Sequence, residues 1–262
     1  MLYFPVKIKT ILGDRPYIID TIGMSKAQVI CFDDMVLKIE KQSVESNREN
    51  HMMEWLKDKI SVPQILCSEQ EKGMSYLLMS RMRGEMSSST KIMANPRQLV
   101  KALAEGLKML WEIDISTCPY SNAIDNKLKH AEELVINKLC NTDDAEPDTY
   151  GESGFENPEQ LLQWLKSNKP DEELVFSHGD YCLPNIFIEN NKIAGFIDLG
   201  RSGVADKYQD IALCYRSLVH NYDGSYGGRV YEDFDERILF DELGIVPDWN
   251  KIKYYLLLDE LF

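Results

Sequence analysis

Two short segments carry the most informative pattern in this sequence: His178-Gly179-Asp180-Tyr181-Cys182-Leu183-Pro184-Asn185 and, after a short interval, Ile197-Asp198-Leu199-Gly200. Between them, two alternating apolar runs flank Asn190-Asn191, a pair typical of tight hairpin turns. Asn185 stands immediately before one predicted strand, and Asp198 stands at the end of the other. A hairpin would therefore bring both side chains back beside Asp180.

The three polar side chains of this pattern match what phosphoryl transfer requires. Two carboxylates and an amide oxygen are hard ligands, and Mg²⁺ binds one or two carboxylates together with substrate phosphates. We expect Asp180 to accept the proton of the attacking hydroxyl, and Asn185 and Asp198 to bind the metal ion. The pattern predicts an ATP-dependent kinase with Mg²⁺ as its cofactor and ATP as its phosphate donor.

A kinase of this kind also needs a cation on the α- and β-phosphates of the nucleotide. Lys38 alternates with aliphatic residues in the predicted strand 35–40, and Glu49 lies on the predicted helix 44–58. A charge on an inner strand is costly to bury without a partner. We therefore expect Lys38 to contact the phosphates and Glu49 to hold Lys38. The sequence contains no P-loop pattern, so the phosphate site must be of the kinase kind.

The composition is that of a globular protein with one or two domains. The chain has 262 residues, of which 44% are hydrophobic and 27% are charged. A formal net charge of -14 argues against nucleic-acid binding and suits a cationic ligand, although acidity that only aids solubility is the plainer alternative.

The cysteines and the apolar runs indicate where the protein works. Six cysteines are scattered without a CxxC pair, which predicts neither a zinc site nor a disulfide framework. The segment that ends at Pro5 does not match a signal peptide, and no apolar run approaches the roughly 20 residues that span a bilayer. We expect a soluble, cytoplasmic protein without a membrane, nucleic-acid or obligatory protein partner.

The predicted elements divide the chain into two parts. Residues 1–80 contain short β-rich runs and one helix, which predicts a small N-terminal, nucleotide-binding lobe. Residues 81–262 are mostly of helical periodicity, which predicts a larger C-terminal lobe with the catalytic loop and the substrate-binding region. Within it, the polar and acidic stretch 141–157 is predicted to be a loop. The expected fold class is α+β.

The combination of His-Gly-Asp-x4-Asn with Ile-Asp-Leu-Gly resembles the catalytic and metal-binding loops of the aminoglycoside phosphotransferases, small-molecule relatives of the protein kinases. Further segments resemble the 3'-phosphotransferase (kanamycin kinase) branch over nearly the whole chain, among them Gly23-Met24-Ser25, Val62-Pro63, Ala205-Asp206-Lys207 and Leu258-Asp259-Glu260-Leu261-Phe262. The resemblance implies a bilobal protein-kinase-like fold. It also implies transfer of the ATP γ-phosphate to the 3'-hydroxyl of an aminoglycoside such as kanamycin or neomycin, which confers antibiotic resistance.

The resemblance implies further nucleotide-binding and bracing residues. Met24 and Ser25 would lie over the nucleotide phosphates, and backbone groups of Ser80 and Met82 would contact adenine. Asp210 resembles a buried residue that braces the catalytic loop. Family members often have an aromatic residue two positions before the lysine, where this chain has Val36, so the choice between ATP and GTP stays open.

The resemblance also implies a substrate site made of acidic groups. Asp259, Glu260 and the carboxylate of Phe262 would bind the ammonium groups of the substrate, together with Glu152 of the acidic stretch 141–157, which we call the insert. Arg201 resembles a residue placed near the catalytic Asp180. Cys182 is interpreted as a bystander, because nothing nearby in the sequence would activate its thiolate.

Two other functions stay open from the sequence. A kinase that acts on a macrolide, on choline or on a sugar would share the catalytic segments but would not need the acidic residues near position 260. A pseudokinase that only binds partners is disfavoured, because Lys38, Glu49, Asp180, Asn185 and Asp198 are all present.

Overall fold

The structure is a computed structural model, and it describes residues 3–20, 27–143, 145–232 and 234–262. The chain groups into two compact units, of which one comprises Met1–Asn95 with Pro184–Arg201 and the other Pro96–Leu183 with Ser202–Phe262. The predicted hairpin after Asn185 therefore belongs to the first unit. The sequence predicts a boundary at residue 80 between a nucleotide-binding lobe and a substrate-binding lobe. This division by function stays a prediction.

The described residues form helices and strands in the following chain order. The helices are α1 (Val6–Leu12), α2 (Val44–Leu56), α3 (Thr90–Met93), α4 (Pro96–Trp111), α5 (Ile124–Ile136), α6 (Pro158–Ser167), α7 (Lys207–Asp223), α8 (Ile238–Leu243) and α9 (Trp249–Asp259). The strands are β1 (Ile18–Asp20), β2 (Gln28–Cys31), β3 (Met35–Lys41), β4 (Ile65–Glu71), β5 (Met74–Ser80), β6 (Glu85–Met86), β7 (Leu174–Ser177), β8 (Ile186–Glu189), β9 (Lys192–Phe196) and β10 (Gly203–Asp206).

A five-stranded antiparallel sheet forms the centre of the first unit, in the spatial order β1-β2-β3-β5-β4. The predicted strands of this part are confirmed, with small differences at their ends. Helix α1 has no counterpart among the predicted elements. It places Ile8 and Leu12, one turn apart, in an apolar cluster with residues of the sheet. The other members of this cluster are Ile30, Phe32, Met35, Leu37, Ile39, Tyr76 and Leu78.

Helix α2 follows β3 and begins at a well-formed cap. The Ser43 hydroxyl accepts the N–H of Ser46, and the Ser46 hydroxyl accepts the N–H of Ser43, each at 3.0 Å. This reciprocal pair satisfies two N–H groups that the first turn of a helix leaves free. The predicted helix 44–58 is confirmed, ends at Leu56, and buries the Met52-Met53 pair.

The second unit is mostly helical, as predicted. Helix α4 buries a continuous apolar stripe of Leu99, Val100, Leu103, Leu107 and Leu110. Helices α7 and α8 each end at a glycine in the left-handed region, Gly224 and Gly244. Strands β7 and β10 pair in antiparallel register and are not among the predicted elements. No helix in the described ranges has the length and apolar character needed to cross a membrane.

Candidate active site

Lys38 lies on the face of β3 opposite the apolar cluster. Along this strand Met35, Leu37 and Ile39 are buried, and Lys38 alternates with them. The Lys38 Nζ lies 2.9 Å from Glu49 Oε2 and 3.0 Å from Asp198 Oδ1. The structure thus joins Lys38 and Glu49 with Asp198, 160 residues after Lys38, in one ion network within the first unit.

Burial controls the electrostatics of this network. The Glu49 side chain is 3% exposed and that of Lys38 is 12% exposed. Burial raises the pKa of Glu49 to about 7, against the opposing effect of Lys38. Burial works to lower the pKa of Lys38, but the carboxylates of Glu49, Asp198 and Glu40 together raise it above its ordinary value. Lys38 therefore carries a positive charge throughout the physiological pH range.

The predicted hairpin is confirmed and places Asn185 next to Asp198. Strands β8 and β9 pair in antiparallel register, and Asn190 and Asn191 both adopt positive φ at their turn. Beyond the last strand pair, the N–H of Ile197 donates to the carbonyl of Asn185 at 3.0 Å. Asp198 follows with φ 59°, a left-handed conformation that Asp tolerates better than most residues. This turn directs the chain from β9 into the segment of Arg201.

The predicted nucleotide-binding residues are only partly within the described structure. Met24 and Ser25 lie outside the described residues. Ser80 ends β5, and its N–H donates to the carbonyl of Gln64 at 2.9 Å. Met82 packs over Gly195, where an added Cβ would come within 2.0 Å of the Met82 methyl group. Their contacts with adenine stay a prediction.

In the second unit, the catalytic loop that follows β7 is held by a buried carboxylate. Asp210 on α7 accepts the backbone N–H of His178 at 2.7 Å and that of Gly179 at 2.9 Å. Burial raises the pKa of Asp210, while these bonds and His178 oppose the rise. Asp210 thus has the position that the resemblance implies, and it orients the backbone immediately before Asp180.

Asp180 itself contacts a residue that sequence reasoning treats as a bystander. The Cys182 Sγ lies 3.0 Å from Asp180 Oδ1, and the Cys182 N–H donates to the Asp180 carbonyl at 2.8 Å. Burial raises the pKa of the Cys182 thiol well above its ordinary value, and the Asp180 carboxylate raises it further. The thiol therefore stays protonated and donates a hydrogen bond to the Asp180 carboxylate. In the sequence, the only sign of this contact is that Cys182 follows Asp180 by two positions.

The acidic residues near position 260 lie together with an arginine that the sequence does not single out. Arg216 on α7 donates to Asp259 Oδ2, and its Nη1 lies 3.5 Å from Glu260 Oε1. The Glu260 Oε2 accepts the N–H of Glu146 at 3.1 Å, and Glu146 Oε1 lies 3.9 Å from Arg216 Nε. We refer to Glu146, Asp259 and Glu260 as the acid cluster.

The remaining predicted substrate residues are exposed or make other contacts within their own units. Glu152 is exposed on the insert. The Phe262 ring packs 5.3 Å from the His130 ring, with Lys127 Nζ 4.9 Å from its centre. In the first unit, Arg201 Nε lies 3.2 Å from Glu45 Oε1. The predicted roles of these residues in substrate binding stay predictions.

Comparison with known sequences finds relatives that cover nearly the whole chain. The model of the phosphotransferase enzyme family matches residues 25–252. The aminoglycoside 3'-phosphotransferase of Enterococcus faecalis is 40% identical over 98% of this chain and 97% of that protein. The one of Staphylococcus aureus is 39% identical over 98% of this chain and 97% of that protein.

Solved structures share the fold. The aminoglycoside phosphotransferase APH(3'')-Id of Streptomyces rimosus superposes with a TM-score of 0.80 at 24% identity, covering 97% of this chain and 95% of that chain. A second structure of it, in complex with ADP and streptomycin, has a TM-score of 0.77, with 24% identity and the same coverage. These likenesses confirm the predicted kinase-like α+β fold. The chain therefore belongs to the phosphotransferase enzyme family, in the branch whose members are named aminoglycoside 3'-phosphotransferases.

Proposed function

We propose that this protein transfers the γ-phosphate of ATP to the 3'-hydroxyl of an aminoglycoside and thereby confers resistance in the cytoplasm. The observation that carries the kinase activity is the position of Lys38 Nζ, within 3.0 Å of both Glu49 and Asp198. A phosphate-binding lysine, the acid that holds it and a metal-binding carboxylate are the parts that phosphoryl transfer needs in one place. The choice of an aminoglycoside as the substrate is supported by the names of the relatives given above.

Asp180 is the proposed catalytic residue, and the groups around it prepare it for that role. A carboxylate that accepts the proton of the attacking hydroxyl must be held in one orientation. Asp210 accepts the N–H groups of the two residues before Asp180, and the Cys182 thiol donates to Asp180 Oδ1. Little covalent chemistry falls to the protein, so most of the rate comes from positioning and from compensation of charge.

The residues present fit a magnesium ion. Asp198 offers a carboxylate and Asn185 an amide oxygen, and the hairpin brings their backbones together through the Ile197 N–H. The described ranges contain no group of three or more His, Cys, Asp or Glu placed to hold a metal. A site that takes its other ligands from phosphates does not require one. When bound, the ion would neutralise charge on the β- and γ-phosphates.

The proposed adenine contacts come from the backbone at the end of β5 and just after it. The Ser80 N–H already donates to Gln64. We therefore expect adenine to donate to the Ser80 carbonyl and to accept from the Met82 N–H. Lys38 would neutralise the α- and β-phosphates, with Met24 and Ser25 over them. Val36 lies half-buried on the same face of β3 as Lys38, where its apolar side chain can contact a base.

The substrate site is assigned to the acid cluster, with Glu152, Arg201 and Phe262 as further predicted contacts. Aminoglycosides carry several ammonium groups, and carboxylates in a partly buried setting bind them more strongly than exposed ones. The chain's net charge of -14 has the sign that attracts such polycations. No nucleic acid or membrane enters this proposal.

A coupled ADP-release assay with Mg·ATP tests the proposal directly. Kanamycin should support turnover, whereas erythromycin, choline and glucose should not. Turnover with one of the latter and none with kanamycin would replace the proposal by the corresponding small-molecule kinase. No turnover with any acceptor, under conditions in which ATP binds, would favour a binding protein without activity.

The Cys182 contact leads to a prediction about the rate. Replacing Cys182 by Ala removes one hydrogen bond from a thiol, a weak donor, worth about 1 kcal/mol, so kcat should fall by about fivefold with the KM for kanamycin little changed. Replacing it by Ser keeps a donor and should restore most of the rate. Steady-state kinetics of both variants check this, and equal losses in the Ala and Ser variants would count against the hydrogen bond.

The raised pKa of Glu260 leads to a prediction about pH. Burial raises the pKa of Glu260 to about 7, so the folded state binds this proton more tightly than the unfolded chain does. Stability from this group is full below the ordinary carboxyl pKa and is lost as pH rises through about 7. The melting temperature should therefore decline less steeply between pH 5 and pH 8 in Glu260→Gln than in the wild type. An identical slope in both proteins would contradict this assignment.

A further inference from the structure

The guanidinium of Arg216 occupies the middle of the acid cluster. It is 15% exposed, and it faces Asp259, which is also 15% exposed, and Glu260, which is 6% exposed. Burial works to lower the pKa of Arg216, but Asp259 above all raises it again, so the side chain stays charged. One cation thus compensates part of the charge of three carboxylates.

The acid cluster has anchors that do not depend on Arg216. Asp259 is the last residue of α9, and the Glu260 carboxylate is held by the N–H of Glu146 at 3.1 Å. The Glu146 carboxylate also lies 3.5 Å from Nδ1 of His220. Removal of the guanidinium would therefore leave the carboxylates close together, with less positive charge to balance them.

The acid cluster and the catalytic loop belong to the same unit, and charges of both act on the Cys182 thiol. Burial raises the pKa of the Cys182 thiol most, Asp180 and Asp259 raise it further, and Arg216 opposes them. A polycation that presents a hydroxyl to Asp180 therefore meets Arg216 among the carboxylates that would bind its ammonium groups.

We propose that Arg216 is an internal counter-ion with which the ammonium groups of the substrate compete, and hence a specificity-determining residue. This inference rests on the proposed aminoglycoside site. Arg216 limits the net negative charge that a ligand meets, so only ligands with several ammonium groups gain enough to share or displace it. The plainer alternative is a structural clamp between α7 and α9, and the two roles predict different responses to added cations.

Thermal unfolding of Arg216→Met with and without polycations separates the two roles. The matched control is Lys251→Met, which removes another cation of 15% exposure that pairs with buried Asp206 on the same unit. Both variants should lose on the order of 10 °C in melting temperature, because each leaves a carboxylate without its partner. The probes are kanamycin and spermidine, at equal ionic strength.

The counter-ion role predicts that both probes raise the melting temperature of Arg216→Met by more than that of the wild type. In Lys251→Met the shift should equal that of the wild type. A shift in Arg216→Met that is equal to or smaller than that of the wild type would overturn the proposal and leave the clamp. If Arg216→Met does not fold, Arg216→Lys takes its place. It keeps one charge without the fork, and its shift must also exceed that of the wild type.

Kanamycin turnover by the wild type keeps this test separate from the proposed function. Absence of turnover would remove the proposed function, while a larger spermidine shift in Arg216→Met would still support the counter-ion role. Normal turnover together with unchanged shifts for both probes would remove only the counter-ion role.

Discussion

Replacing Asp180 by Asn will reduce the transfer of phosphate to kanamycin by about 10²- to 10⁴-fold, the range that a positioned general base contributes. Asn has nearly the same shape, and its carbonyl oxygen can still accept the Cys182 thiol proton, which lies 3.0 Å away in the native contact. It cannot accept the proton of the attacking hydroxyl. The loss should therefore fall on kcat, with little change in KM or in melting temperature. ADP-release kinetics and a thermal melt check the two parts.

A control in the same unit makes this result specific. Asp171 is an exposed carboxylate a few residues before β7, and Asp171→Asn should keep the wild-type rate. A rate for Asp180→Asn near that of Asp171→Asn would mean that another group takes the proton. The catalytic assignment of the loop would then be wrong, although the fold would stand.

Replacing Lys38 by Met will reduce kcat/KM for ATP by about 10²- to 10³-fold, the usual cost of one preorganised electrostatic contact. Met keeps much of the length of the side chain but removes the charge that neutralises the phosphates. The Glu49 carboxylate, 3% exposed, would lose the ammonium at 2.9 Å. The variant should therefore also be less stable, since a buried carboxylate without a partner is costly. ATP titrations and thermal melts measure the two losses separately.

The double variant Lys38→Met with Glu49→Gln distinguishes activity from stability. It removes both charges of the pair, so much of the stability should return while the activity stays low. Lys41→Met, an exposed lysine at the end of the same strand, is the control for the loss of positive charge. Activity restored in the double variant would show that Lys38 acts only on the fold.

Local pattern was sufficient for the residues that stand beside a turn. Asn190 and Asn191 have the turn chemistry of a tight hairpin, and the hairpin places Asn185 next to the strand that ends before Asp198. The same holds for Lys38, whose alternation with buried residues indicated a charge that needs a partner. In both cases the residues that reveal the feature lie within a few positions of it in the sequence.

Long-range pairing was not accessible in this way. Arg216 lies 43 residues before Asp259, and nothing in their spacing brings them together. A signal existed in the lone Arg that follows the buried residues 211–214 of α7, because a buried cation requires acids nearby. It could predict that partners exist but could not identify them. Strands β7 and β10 were missed for the same reason, since each is short and pairs only with a distant segment.

Helix α1 was missed because its residues alternate between polar and apolar at the start, which is typical of a strand. The deciding contacts are those of Ile8 and Leu12 with the sheet, and these form only in the folded unit. Packing against the apolar cluster outweighs the weak local preference.

The most direct test of the proposed function is a comparison of kanamycin B with its 3'-deoxy analogue, tobramycin, in the presence of Mg·ATP. The two molecules carry the same amino groups, so the acid cluster should bind both. We predict that ADP release and a mass increase of one phosphoryl group occur with kanamycin B alone, and that tobramycin inhibits this reaction by competition. Phosphorylation of both molecules at similar rates, or of neither, would contradict the assignment of the 3'-hydroxyl as acceptor.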